Sequence, residues 1–425
     1  MSDATTTTTQ GPGTPPAPSS PETAEGRGSR LLREITTGNA AISVLAVVLA
    51  LVVSGLLIGF TDTSVQGTLG YFFSRPADFF QAFWAAVGGS YSSLFQGAIY
   101  NFRVDGFAAG IRPLTETLNY AVPLIAAGLG VAVAFRVGLF NIGARGQMLM
   151  ASAAAGWVGF SFHLPLAVHL PLALAAGIAA GALWGGIVGL LKARTGAHEV
   201  ILTIMLNYIA FYLLAFMLRT QGLLQAPGSA NPKSPATLDT AILPDLFGAR
   251  YNLNWGFVLV IVITAVVWWL INRSTLGFRF RAVGENPHAA RTAGMNVKNI
   301  YLYAMLISGA LAGVAGSTQV LGTLTSGFTS GIDAGIGFDA ITVALLGRSR
   351  PWGVFGAGVL FGALKAGGYS MQAANGVPID IVLVVQSLIV LFVAAPPLVR
   401  AIFRLPAPGL RPVRKAPIKE AVVTK

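Results

Sequence analysis

About ten apolar runs, most of them near twenty residues long and separated by short basic loops, restrict this chain to a bundle of helices crossing a membrane. The runs cover 40–60, 117–135, 144–162, 168–191, 200–218, 254–271, 300–320, 338–347, 352–370 and 379–399. A helix needs about 20 residues to span the roughly 30 Å hydrocarbon layer, and in lipid only helices and closed barrels satisfy their own backbone. The predicted fold class is therefore an all-α polytopic membrane protein with about ten transmembrane helices. The eighth run is too short to span alone, so it is either extended at its outer end or broken. Composition agrees: 54% of residues are hydrophobic and 10% charged, against about 25% charged in soluble domains. The 51 glycines suit close packing in lipid, where small residues let backbones approach.

Charge placement predicts orientation. With a cytoplasmic N-terminus, 21 of the 28 lysines and arginines fall on the inner side, among them Arg136, Arg145, Lys192, Arg194, Arg348 and Arg350, whereas Lys365 falls outside. That bias expects both termini in the cytoplasm. Residues 1–36, rich in Thr, Pro and Ser, read as a disordered tail, 37–402 as the membrane domain and 403–425 as a basic tail. Residues 61–116 read as an external insertion with stretches 79–87 and 91–99 lying amphipathically at the interface, and 219–253 as a second external loop. The net charge of +12 is accounted for by the inner loops and tails, so no nucleic-acid partner is expected.

Several chemistries are excluded. The chain has no cysteine, hence no disulfide, thiolate nucleophile or cysteine metal site. It contains no Gly-x-x-x-x-Gly-Lys-Ser/Thr phosphate loop, so it does not bind ATP by that device. His163, His169, His198 and His288 lack metal-ligand spacing, and no Ser/His/Asp arrangement can be assembled. No enzymatic activity and no cofactor of its own are expected.

Polar residues inside apolar runs mark what the helices face. Glu199, Thr203 and Asn207 repeat every fourth residue and share one face of the fifth run. Such a face points into the bundle or a wet pathway, and helix-to-helix hydrogen bonding is the competing explanation. Thr115 and Asn119 form a similar pair, while Gln147, Gln319 and Gln386 each interrupt apolar sequence. A path lined with amides and hydroxyls suits an uncharged polar solute, since the span centres offer no obvious counter-charge. Asp339 stands at the start of the eighth run, either as a favourable helix N-terminal charge or at the external mouth of the path. Gly327, Gly331, Gly335 and Gly337 nearby permit a broken entry. Tyr208, Phe211 and Tyr212 can stack on a base or sugar, or face lipid.

The basic loop 272–299 carries Gly-Glu-Asn-Pro-His-Ala-Ala-Arg-Thr-Ala-Gly from Gly284 to Gly294. Asn286 can cap a helix, Pro287 suits its first position and Gly294 can end it in the left-handed conformation. The result is a helix of about two turns, too short to span. Together with Glu285, Ala290 and Ala293 these residues form a compact knob, either a plain connector or a docking element.

The segment from Gly277 to Gly294 resembles the coupling loop of permease subunits in bacterial ABC importers of the branched-chain amino acid, simple sugar and nucleoside class. Three further segments are similar to that family: Phe135 to Gln147, with Asn141 in Phe-Asn-Ile-Gly; His198 to Ala210; and Gly337 to Gly347 followed by Pro351-Trp-Gly. The likeness covers about residues 115–400 and is nearest to the longer permease of nucleoside, guanosine-type, importers. Arg145 departs from it, since many relatives carry an acid there. The resemblance implies a type II-like importer fold and a bacterial plasma or inner membrane location. It implies a cytosolic ATP-binding subunit with two fused nucleotide domains that bind ATP and Mg, a second homologous permease and an external binding lipoprotein. It implies ATPase coupling through Gly284, Glu285, Asn286, Pro287, Ala290, Ala293 and Gly294. A solute path along Asn119, Asn141, Gln147, Thr203, Asn207, Gln319, Asp339 and Gln386 joins that picture. Simple sugars are the alternative cargo, and an ion-coupled secondary transporter is a remoter alternative that would need intramembrane acids.

Overall fold

The computed structural model describes residues 39–248 and 250–404, and among them every regular element is helical, with one isolated bridge between Asp245 and Asn254. The expected disordered tail and most of the expected basic tail lie outside the described residues. In chain order the helices are α1 (Asn39–Thr61), α2 (Thr63–Leu69), α3 (Pro76–Ala98), α4 (Arg112–Arg136), α5 (Ala144–Ser161), α6 (Leu166–Thr195), α7 (Glu199–Arg219), α8 (Gly256–Arg273), α9 (Thr275–Glu285), α10 (Pro287–Thr292), α11 (Val297–Thr318), α12 (Ile336–Leu346), α13 (Pro351–Asn375), α14 (Ile379–Ala394) and α15 (Pro396–Ile402). Each expected apolar run falls on one of them except the tenth, 379–399, which is divided between α14 and α15 at Ala395 before Pro396. Among the described residues, five helical stretches are long and apolar enough to cross a membrane, and a sixth if the bent pair α1–α2 is one span.

α4 is the axis of the bundle. Its surface from Ala121 to Ala134 is buried on every side, because alanines and glycines alternate with Val, Leu and Ile and leave room for neighbours all round. α13, α11, α12 and α8 surround it. The tightest crossing is between α6 and α11. A Cβ at Gly181 would lie 2.5 Å from the Gly309 carbonyl oxygen, and one at Gly309 would lie 2.3 Å from that of Gly181. Only glycine on both sides lets the two backbones touch, which is how helices gain contact in lipid without a hydrophobic driving force.

Helix order and packing reveal an internal repeat with inverted direction. The succession α4, α5, α6, α7 is matched by α11, α12, α13, α14: α4 packs on α13 as α11 packs on α6, and α4 on α12 as α11 on α5. α4 runs toward the end of the molecule that carries Arg136, whereas α11 starts near that end and runs away from it. Inverted repeats of this kind are a recurring plan in membrane transporters. The second helix of each repeat follows a tight irregular segment and opens on the same words, Ile142-Gly-Ala-Arg145 before and into α5, Ile336-Gly-Phe-Asp339 in α12.

Residues 61–116 differ from expectation in one respect. The stretches 79–87 and 91–99 are not separate interfacial pieces but parts of the single helix α3, which continues through Gly88-Gly89. Tertiary contact overrides the weak helix propensity of that pair. Gly55 and Gly59 of α1 receive Tyr91 and Phe83, the Tyr91 hydroxyl donates to the Leu51 carbonyl, and Gly97 seats Ser370 of α13.

Candidate functional site

The knob is present and is held from beneath. Asn286 caps α10 by accepting at Oδ1 from the amides of His288 at 2.9 Å and Ala289 at 3.0 Å, and Pro287 occupies the first turn. Gly294 takes φ +83°, and Met295 N donates to the Ala290 carbonyl at 3.0 Å, closing the helix. An additional helix, α9, which the sequence reading did not separate from the loop, carries it. Ser274 starts α9 by accepting from Gly277 N at 3.0 Å, and Phe280 and Val283 anchor it in the core. Gly284 lets α9 press against the end of α4, since a Cβ there would lie 2.2 Å from the Arg136 carbonyl oxygen. Glu285, Asn286, His288, Ala289, Arg291, Ala293 and Gly294 are exposed. Ala290, expected among the docking contacts, is instead 5% exposed and faces the chain's own core. It packs the knob onto the core of this chain.

Behind the knob, the expected path residues form networks rather than a lining. Asn141 Nδ2 donates to Ser308 Oγ at 2.8 Å and to Gln147 Oε1 at 3.2 Å, and Ser308 Oγ donates to the Gly130 carbonyl at 2.7 Å. Asn207 Oδ1 accepts from Gly146 N at 2.8 Å while its Nδ2 donates to the Ile142 carbonyl at 2.9 Å. Thr203 Oγ1 donates to the Glu199 carbonyl at 2.8 Å. Two bonds reach the irregular backbone before α5, Asn207 Nδ2 to the Ile142 carbonyl and Gly143 N to Asn141 Oδ1 at 2.8 Å, as non-helical chain at membrane depth requires. Asn119 accepts from Asn254 Nδ2 at 3.3 Å. Gln386 is buried in α14, and Gln319 is buried where α11 ends in a π-turn, Gln319–Thr323. Thus Asn141, Gln147, Thr203 and Asn207 meet around the start of α5, whereas Asn119 and Asn254 form a second, separate pair.

Arg145 is not in an inner loop. Gly337, at the start of α12, sits against its backbone, while Val343, farther along, packs on Gly128, and Ser349 beyond the helix accepts from Arg136 Nε at 3.1 Å. Eleven residues of α12, about 16 Å at the α-helical rise, therefore separate Arg145 from the basic end. At that depth Arg145 Nε lies 3.2 Å from Asp333 Oδ2, with the carboxylate side chain 4% exposed, as an ion pair rather than an aligned hydrogen bond. The Arg145 guanidinium also covers the Phe211 ring at 5.2 Å. Lys365, counted outside from sequence, donates to the Ala334 carbonyl at 3.0 Å, on the segment between Asp333 and Asp339. The expectation of no counter-charge at the span centres is thus corrected: two acids and two bases gather where α5 and α12 begin. Sequence spacing could not show this, because Asp333 and Arg145 are brought together only by the return of residues 324–335 into the bundle. That return is stitched by the second loop: Leu243 N donates to the Leu321 carbonyl at 2.7 Å, Thr237 N to Thr325 O at 2.8 Å and Ser234 N to Phe328 O at 3.0 Å.

Of the three aromatic residues expected either to stack on a solute or to face lipid, Tyr208 and Tyr212 are 57% and 66% exposed on α7, and Phe211 lies beneath the Arg145 guanidinium. The expected Glu199 is tied to Lys192 at 2.9 Å at the basic end.

Comparison with known proteins places this architecture. No solved structure matches the chain. The chain is 41% identical over 310 residues to the guanosine ABC transporter permease protein NupP of Bacillus subtilis, covering 73% of this chain and 86% of that one. It is 36% identical over 290 residues to the nucleoside ABC transporter permease protein NupB of Lactococcus lactis, covering 67% and 79%. With the glucose ABC transporter permease protein TsgB13 of Haloferax volcanii it shares 37% identity over 288 residues, covering 66% and 75%. The family described as branched-chain amino acid transport system / permease component matches residues 114–394. These residues include both inverted repeats and the knob between them, and the chain belongs to that family of multi-pass membrane permeases.

Proposed function

We propose that this chain is the permease subunit of an ATP-driven importer that carries nucleosides into the cell. The observation that carries the reading is its 41% identity, over most of both chains, to a guanosine permease. The exposed, capped helix α10 on a buried base supports the same reading as the docking element for a separate motor. In this arrangement the partner subunit, with two fused nucleotide domains, binds ATP and Mg. A second homologous permease completes the membrane unit, and an external lipoprotein delivers the solute. The ten apolar runs then form ten spans in a type II-like importer fold, with both termini and α10 in the cytoplasm. ATP closure pushes α10, α9 transmits the push to the end of α4 through Gly284, and the two repeats rock about α4.

The test is ATP-dependent uptake by the complete transporter in proteoliposomes, offered radiolabelled guanosine and glucose in parallel. Guanosine accumulation that unlabelled nucleosides suppress and glucose does not is the expected outcome. The similarity to a glucose permease at 37% identity sustains one second reading, import of a simple sugar, and glucose-suppressible uptake would establish it instead.

A further inference from the structure

At the end of α4 opposite Arg136 the chain encloses a cavity of about 620 Å³, open to the surface, whose polar and aromatic lining includes Asn101, Arg112, Glu116, Tyr120, Asn252 and Tyr369. Pockets that bind small molecules fall at about 300–1,000 Å³ and combine apolar walls with a few convergent polar groups. Four segments build it: the chain before α4, α4 itself, the loop before α8, and α13. The chain before α4 folds over its first turn, with Asn101 N donating to the Gly110 carbonyl at 2.8 Å. Asn252, held at φ +49°, reaches across from the loop before α8 and donates through Nδ2 to both Glu116 oxygens, at 3.0 and 3.1 Å. Tyr120 of α4 and Tyr369 of α13 meet with ring centroids 5.8 Å apart and planes tilted by 37°.

Each part has a use toward one solute class. Tyr369 remains 46% exposed, leaving a ring face available to a flat heterocycle. The Glu116 carboxylate uses one lone pair on each oxygen for Asn252 and retains others, which accept from vicinal hydroxyls. Arg112 beside it supplies N–H donors that suit carbonyl oxygens or ring nitrogens. One helical turn from Tyr369 along α13 stands Lys365, whose ammonium donates to the Ala334 carbonyl.

We infer that this cavity is the reception site in which the permease first holds its solute, stacking a nucleobase on Tyr369, backed by Tyr120, and binding the ribose hydroxyls at Glu116. The inference rests on the nucleoside reading. It is tested with the complete transporter at saturating binding protein, following uptake and binding-protein-stimulated ATP hydrolysis together. Base–aromatic stacking is worth about tenfold per ring by alanine substitution, so Tyr369→Ala should lower guanosine uptake about tenfold, and Tyr369→Phe should restore it. Glu116→Gln should fall between the two. A second measurement removes the dependence on turnover: a photoreactive azido-nucleoside should label peptides containing Tyr120 or Tyr369, and excess guanosine should suppress the label. Guanosine uptake unchanged by Tyr369→Ala, equal losses in the Ala and Phe variants, or label confined to other peptides would overturn the reception site and leave the nucleoside reading intact. A wild-type transporter that carries glucose and no guanosine would overturn both.

Discussion

At the scale of single residues, several polar groups buried in this chain tie helices together or hold unwound backbone. Asn207 is the clearest case: a leucine there would strand the Gly146 amide and the Ile142 carbonyl, each costing about 1–3 kcal/mol when buried without a partner. Of the two roles open from sequence, pathway lining and helix tie, the bonds favour the tie. The Arg145–Asp333 pair carries a sharper prediction. Removing one partner of a fully buried pair costs about 3–5 kcal/mol, whereas replacing both with apolar side chains is often neutral. The 29% exposure of Arg145 places the expected loss for Arg145→Ala toward the lower end. Thermal melting of the purified permease should fall clearly for Arg145→Ala and recover in Arg145→Met combined with Asp333→Leu. A single variant that melts like wild type would show that water, not Arg145, compensates Asp333.

At the scale of elements, the knob and the half-length helix α12 show how far sequence can be read. Capping chemistry is local, so Asn286 and Pro287 at one end and Gly294 beyond the other announced α10. What those positions could not tell is which side of α10 faces home. The structure turns Ala290 inward and Ala289 and Ala293 outward, which separates two outcomes. Ala289→Asp and Ala293→Asp should leave the permease at normal levels in the membrane and reduce binding-protein-stimulated ATP hydrolysis at least tenfold. Ala290→Asp should lower the amount of folded permease, because an unpaired carboxylate would enter the core. Equal behaviour of all three in both assays would contradict the assignment. The shortness of the run 338–347 likewise signalled a broken entry, and the pairing of α12 with α5 was legible only in part. The shared words Ile-Gly-x-charge lie nearly two hundred residues apart and acquire meaning once the inverted repeat sets the two helix starts side by side.

At the scale of the whole molecule, the fold divides function between two ends: the knob at the basic end of α4, the solute cavity at the other. Hydropathy made the helices legible, because lipid demands continuous apolar length. It hid α3, whose apolar residues are spread around a helix that packs on α1 and α13, and charge counting alone did not show that Arg145 and Lys365 lie in helices near Asp333 and Ala334. The native chain has no cysteine, so single cysteines report without background. In intact cells, His288→Cys should resist a membrane-impermeant maleimide until the membrane is opened, and Asn101→Cys should react at once. Labelling of both from the same side would invert or dissolve the proposed arrangement.

The stitching of residues 234–243 onto residues 321–328 carries a mechanical corollary. Because those links join main chain to main chain, a protein alighting on that loop would tug directly on the segment that leads to Asp333, without any side chain as intermediary. Arrival of cargo at one face could thereby loosen the charged lock in the interior before the motor at the opposite face has moved.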